Sequence, residues 1–230
     1  KIRSSKATWA AFAILEAITA VFWVRESLGS AVRTALILGP YLFLFLTQDM
    51  MRSEIDGGTL ENVLFCDGGF RTYLKLKNAV TAAAAAALVL ALTAATAVPA
   101  VLNGTVPLRA IVPLLALSLS VGIYYVLLGN TLSLFLKGGS NVMIVLVVQA
   151  ALFVALILTV KAEGGVLSYL ETGTFPGWGE RLKFMAFAAV CPSFLISERF
   201  LPYALEFLSL AGVLWIVQSL KIRGLELERR

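Results

Sequence analysis

The sequence has no histidine, which removes the side chain that titrates nearest neutral pH and the commonest metal ligand. It has two cysteines, Cys66 and Cys191, too few and too dispersed for a metal framework. It lacks the Gly-Lys-Ser/Thr phosphate loop, so it does not bind ATP by that route. Neither His-Glu-x-x-His nor Gly-x-Ser-x-Gly occurs, which excludes hydrolases built on those motifs. Charge is scarce: 14% of residues are charged, against about a quarter in a soluble domain. An enzyme acting on lipid would need converging acids, bases or a metal site, and the carboxylates here are scattered over different segments. The chain is therefore not expected to be an enzyme, and no catalytic or metal-binding residue is assigned.

What is abundant is apolar sequence. Of the 230 residues, 59% are hydrophobic, with a mean hydropathy of +0.88, and they come in long runs. Such runs predict a helical protein that crosses a membrane several times. They are continuous rather than alternating, which argues against a barrel. The net charge of +5 is explained by basic residues at the membrane faces and requires no nucleic acid.

Taken in order, the runs predict six spans near residues 7–28, 31–48, 78–98, 111–136, 141–160 and 200–220. Trp9 and Trp23 flank the core of the first as interface anchors, and Gly39-Pro40 places a kink in the second. The third is an alanine run suited to close helix packing. Residues 99–107 read as a turn-rich loop. Between spans five and six, within residues 163–199, the apolar stretch from Phe184 to Ile196 is too short to cross and is broken by Pro192; it reads as a re-entrant helix. The nineteen lysines and arginines set the orientation. With both termini inside, all of them except Arg25, Arg33, Arg109, Lys161, Arg181, Lys183 and Arg199 fall on inner segments. Cys66 then lies on the inner side, and Cys191 reads as a packing residue.

The polar stretch 52–77 separates spans two and three. Gly57-Gly58 frees the backbone, and Leu60, Val63 and Leu64 then recur at helical spacing with Glu61 and Asn62 on the other side. That predicts a short amphipathic helix lying on a surface. Asp67-Gly68-Gly69 turns the chain, and Phe70, Tyr73 and Leu74 form a second apolar stripe beside Arg71, Lys75 and Lys77.

The run Glu54-x-x-x-Gly58-Thr59-Leu60-Glu61-x-x-Leu64, followed by Lys75 or Lys77 at the head of the next span, resembles the cytoplasmic coupling segment of type-2 ABC exporter permeases. The six spans and the break at Cys191-Pro192-Ser193 are similar to that family too. The resemblance covers nearly the whole chain in topology and only this stretch in motif. It implies a single permease domain over residues 1–230 and a dimer with a second copy or a similar chain. It further implies two partner ATPase subunits that hold ATP and Mg, and a place in the inner (plasma) membrane with both termini cytoplasmic. Glu54, Gly58, Thr59, Leu60, Glu61, Leu64 and Phe65 would couple to the ATPase; the permease itself holds no cofactor. The family also carries an amphipathic helix ahead of the first span, of which at most Lys1 to Lys6 falls in this sequence. The Phe135-Leu136-Lys137-Gly138-Gly139 run is similar to the haem-exporter-type permease of cytochrome c maturation, the alternative reading alongside a non-transporting assembly subunit.

Four residues are pathway candidates: Glu16, Gln149, Tyr124 and Asn130. Glu16 lies about ten residues past Lys6, near the midplane at about 1.5 Å per residue. An ionisable group there lines a path or pairs across an interface, or else is protonated or hydrogen-bonded in packing. Gln149, Asn130 and the tyrosines would bind substrate or, as is commoner, bond between helices. Tyr124 and Tyr125 are adjacent, so at most one faces a pathway. Glu54, Asp56 and Glu61 have no fourth ligand nearby for a metal, and docking to a basic groove suits them better. A secondary transporter would show internal repeats, and the two halves show no obvious similarity.

Overall fold

The computed structural model describes residues 28–48, 50–58, 69–102, 108–136, 140–163, 177–191 and 200–228, with isolated helical positions between 10 and 21. Among the described residues seven helices follow one another: α1 (Leu28–Thr47), α2 (Arg52–Asp56), α3 (Gly69–Leu102), α4 (Leu108–Phe135), α5 (Ser140–Glu163), α6 (Trp178–Val190) and α7 (Phe200–Glu228). The described residues contain no strand. Three helices among them are long and apolar enough to cross a membrane, over Gly69–Ala91, Ile111–Phe135 and Pro202–Gly224. Large apolar side chains stand exposed on these and on α5, among them Leu76, Val80, Val112, Met143, Val147, Val213 and Ile216. A soluble chain does not leave that much apolar surface open; hydrocarbon would cover it.

The bundle is organised around α4, which packs most extensively on α7, α3 and α1. Leu117 and Tyr125 of α4 are fully buried in the main core, with Phe43 and Leu44 of α1, Ala85 of α3, and Phe207 of α7. Two glycines bring α1 onto α4. A Cβ at Gly129 would overlap Thr47 Oγ1 and lie 2.9 Å from Thr47 Cβ; one at Gly122 would lie 3.3 Å from Phe43 and Val89. On α3 the buried positions are Phe70, Leu74, Asn78, Thr81, Ala85 and Val89. That three-to-four spacing is the stripe of a packed helix.

The contacts fix direction. Val89 meets Gly122 and Asn78 meets Asn130, so α3 is antiparallel to α4. Phe207 meets Tyr124 and Gln218 meets Leu127 and Thr131, so α7 runs parallel to α4. A second cluster closes the end of the bundle where α2 lies: Met51, Phe70, Leu74, Leu134 and Ile222, with Ile55 and Tyr73 against it.

Several boundaries differ from the sequence reading. The helix α3 starts at Gly69 and runs through Pro99 to Leu102, where a loop was expected from residue 99. Proline removes one hydrogen bond, and the alanine-rich turns before it keep the helix going. The last helix continues through the charged tail to Glu228. The thirteen-residue helix α6 begins at Trp178, six residues before the expected Phe184, and ends at Val190. The residue before a proline is disfavoured in the helical region, so Cys191 stops it, with φ −123° and ψ 67°. The described part of the coupling stretch is helical before its glycines, at Arg52–Asp56, and Gly58 takes a left-handed φ of 68°. The amphipathic helix expected at Leu60 to Leu64 lies outside the described residues.

Candidate functional site

Most polar side chains buried in the bundle belong to three connected arrangements. The first surrounds the end of α6. At its start, Arg181 pairs with Glu206 of α7 at 3.0 Å, and Phe184 packs on Tyr203. The helix is thirteen residues long and ends inside the bundle. The last carbonyls of a helix have no partner within it, and here side chains from two other helices supply donors. Tyr125 of α4 donates its hydroxyl to Ala189 O and Val190 O, each at 3.0 Å. Gln149 of α5 donates Nε2 to Val190 O at 2.6 Å, and its Oε1 accepts from the hydroxyl of Tyr41 on α1. Helices α1, α4 and α5 thus converge on one helix terminus.

The second arrangement is a chain of amides towards the α2 end. Asn130 donates to Asn78 Oδ1 at 2.8 Å and to Thr81 Oγ1 at 3.3 Å. Asn78 donates to Gln218 Oε1 at 2.6 Å. Gln218 donates to Leu127 O and Thr131 Oγ1, both at 2.9 Å. Asn141 of α5 donates to Gly129 O at 3.0 Å, the same glycine that Thr47 approaches closely. Four helices are therefore tied together by uncharged polar groups. Among the described residues, Asn130 Oδ1 is the buried side-chain polar atom left without a partner.

The third lies at the end of the bundle where α2 sits. Lys77 Nζ pairs with Glu54 at 2.5 Å and donates to Met50 O at 2.7 Å. The hydroxyl of Tyr73 donates to the other oxygen of Glu54. On the far side, Met51 N–H donates to Ser133 Oγ at 3.4 Å, and that hydroxyl donates to Asn130 O at 2.9 Å. So α2 is clamped between α3 and α4 and is one hydroxyl away from the amide chain.

No family model, curated protein or solved structure matches this chain.

The residues singled out in the sequence fall into these arrangements as follows. Asn130 is fully buried in the amide chain. Gln149 caps α6. Tyr124 is buried edge-on to Phe207, with ring centroids 5.3 Å apart; its neighbour Tyr125 holds the α6 terminus. Glu54 is turned back onto Lys77 and Tyr73, and Gly58 ends the described part of the stretch. Glu16, Thr59, Leu60, Glu61, Leu64 and Phe65 lie outside the described residues. Among the described residues no three carboxylates, thiols or imidazoles gather as a metal site. The sequence reading passed over Asn78, Gln218 and Tyr41. A signal existed for the first two: each is an amide within a run otherwise suited to lipid, where polar side chains commonly bond between helices.

Proposed function

We propose that this chain is the membrane-spanning permease subunit of an ATP-driven exporter of the type-2 ABC kind. Two permease subunits would form the pathway, and two separate ATPase subunits would bind ATP and Mg. One observation carries the reading: the anchoring of the stretch that bears Gly58-Thr59-Leu60-Glu61. Its flanks, Ile55 on one side and Phe70 on the other, pack in a single cluster at one end of the bundle, and Met51 is bonded from there to α4. A force applied to such a stretch is delivered to packed helices rather than lost in a loose loop. In this reading Glu54 holds the mount, and Glu61 with Thr59, Leu60, Leu64 and Phe65 meets the ATPase.

The topology proposed is six spans with both termini cytoplasmic in the inner membrane. The α6 helix would be the re-entrant element. At about 1.5 Å per residue it reaches about 20 Å, short of the roughly 30 Å hydrocarbon core. Its start and the start of α7 share one level, through Arg181 and Glu206. Glu16 is the pathway candidate carried forward, at the interface between permease copies.

The test is co-purification of the tagged chain in detergent with the ATPase encoded beside it. Expected is a stable complex that Glu61→Arg releases while the permease stays folded. A folded permease that retains no ATPase, or a complex indifferent to Glu61→Arg, removes the reading.

A further inference from the structure

At the α2 end, between the start of α3 and the end of α7, lies a pocket of about 460 Å³ lined by Arg71, Ser219, Leu220, Ile222 and Arg223. Both arginines are exposed, and among the described residues neither is in an ion pair. They stand where two apolar helices reach the edge of their spans, Gly69–Ala91 and Pro202–Gly224, at the same end of an antiparallel pair. Both helices also carry open apolar side chains at this end: Leu220, in the pocket lining, is 64% exposed and Leu76 of α3 65%. The pocket thus offers two positive charges at headgroup level, the Ser219 hydroxyl being spent on Trp215 O at 2.8 Å, with exposed apolar surface for acyl chains on the same two helices. An anion alone would use the first feature and a neutral lipid the second; an anionic phospholipid uses both.

We propose that Arg71 and Arg223 bind the headgroup phosphate of an anionic phospholipid in this pocket. The site depends on the helices lying in a membrane and not on the ATPase partner, so it is tested on the permease alone. Purified chain in neutral detergent is mixed with phosphatidylglycerol or phosphatidylcholine of identical acyl chains, and retained lipid is counted by native mass spectrometry. Phosphatidylglycerol is expected to be retained in preference. Arg71→Gln with Arg223→Gln lowers its retention by roughly fivefold per arginine, the worth of one basic residue near an anionic surface. Arg71→Lys with Arg223→Lys retains most of the preference, which separates loss of charge from loss of fold. Arg109→Gln, at the opposite end of α4, leaves retention unchanged. Equal retention of the two lipids, or an Arg109→Gln effect as large as the double substitution, overturns the site. Displacement of the lipid by inorganic phosphate would mean that the arginines hold a free anion, and would overturn it as well.

Discussion

Where α1 crosses α4, Gly129 has Thr47 Oγ1 in the space a methyl group would need. Thr47 cannot swing away cheaply, because its hydroxyl donates to Phe43 O at 2.9 Å. Gly129→Ala is therefore expected to lower stability by about 1–3 kcal/mol, the cost of overpacking a core, measured by thermal unfolding in detergent. Gly122→Ala meets only the tips of Phe43 and Val89 at 3.3 Å. There the gain of up to about 1 kcal/mol in helix propensity offsets the crowding, and little change is expected. Tyr125→Phe keeps the ring and removes one hydroxyl. It should cost about 1–3 kcal/mol, the penalty for taking its side-chain donor from the Ala189 carbonyl. Because Val190 O accepts from both Tyr125 and Gln149, each single loss leaves it one donor. Tyr125→Phe with Gln149→Leu is expected to cost more than the sum of the two, a non-additivity that a double-mutant cycle reads directly. Simple additivity would show that the two donors act independently.

Among the elements, α2 depends most on its neighbours. Five residues cannot hold a helix in isolation, and this one persists because Met51 is buried and Glu54 is paired across to α3. The Glu54 side chain is 26% exposed and that of Lys77 10%, so solvent weakens the pair from one side only. Glu54→Gln keeps an acceptor for Tyr73 and is expected to cost under about 1 kcal/mol. Lys77→Met also strips Met50 O of its donor and should cost about 1–3 kcal/mol. The order of the two effects, read from thermal unfolding at low salt, checks whether the backbone contact or the ion pair holds α2. If Glu54→Gln proves the more damaging, the ion pair is the stronger clamp.

For the molecule as a whole, the packing directions set which side each helix end faces. The start of α3 and the end of α7 share one end, and the start of α4 lies at the other. With Cys66 and Cys191 replaced by alanine, single cysteines at Lys75 and Arg223 should react with an impermeant thiol reagent from the same side of a sealed vesicle. A cysteine at Arg109 should react only from the other. Labelling of positions 75 and 109 from one side would disprove a membrane-crossing α3–α4 pair.

The helical class was legible from the long apolar runs, because runs of that length can satisfy their backbone in hydrocarbon only as helices. Element ends were less so. In α7 the buried Tyr203, Phe207 and Ala211 and the exposed Leu205, Leu208 and Val213 are alike apolar, since one face meets protein and the other would meet lipid. No sequence period then separates core from surface, and the charged tail gave no sign that the helix would continue to Glu228. The proline at 192 did announce the end of α6, while its start at Trp178 was hidden in polar, glycine-rich sequence. By itself the sequence determined an all-helical chain with spans suited to a membrane and a polar stretch between two of them. Only the tertiary structure decided what the polar residues do. Gln149 became a cap for a broken helix, Asn130 a link to Asn78, and Glu54 a clamp on α2. Each outcome depends on a partner 19 to 52 positions away in sequence, and a hydrogen bond across that distance exists only after the helices have packed.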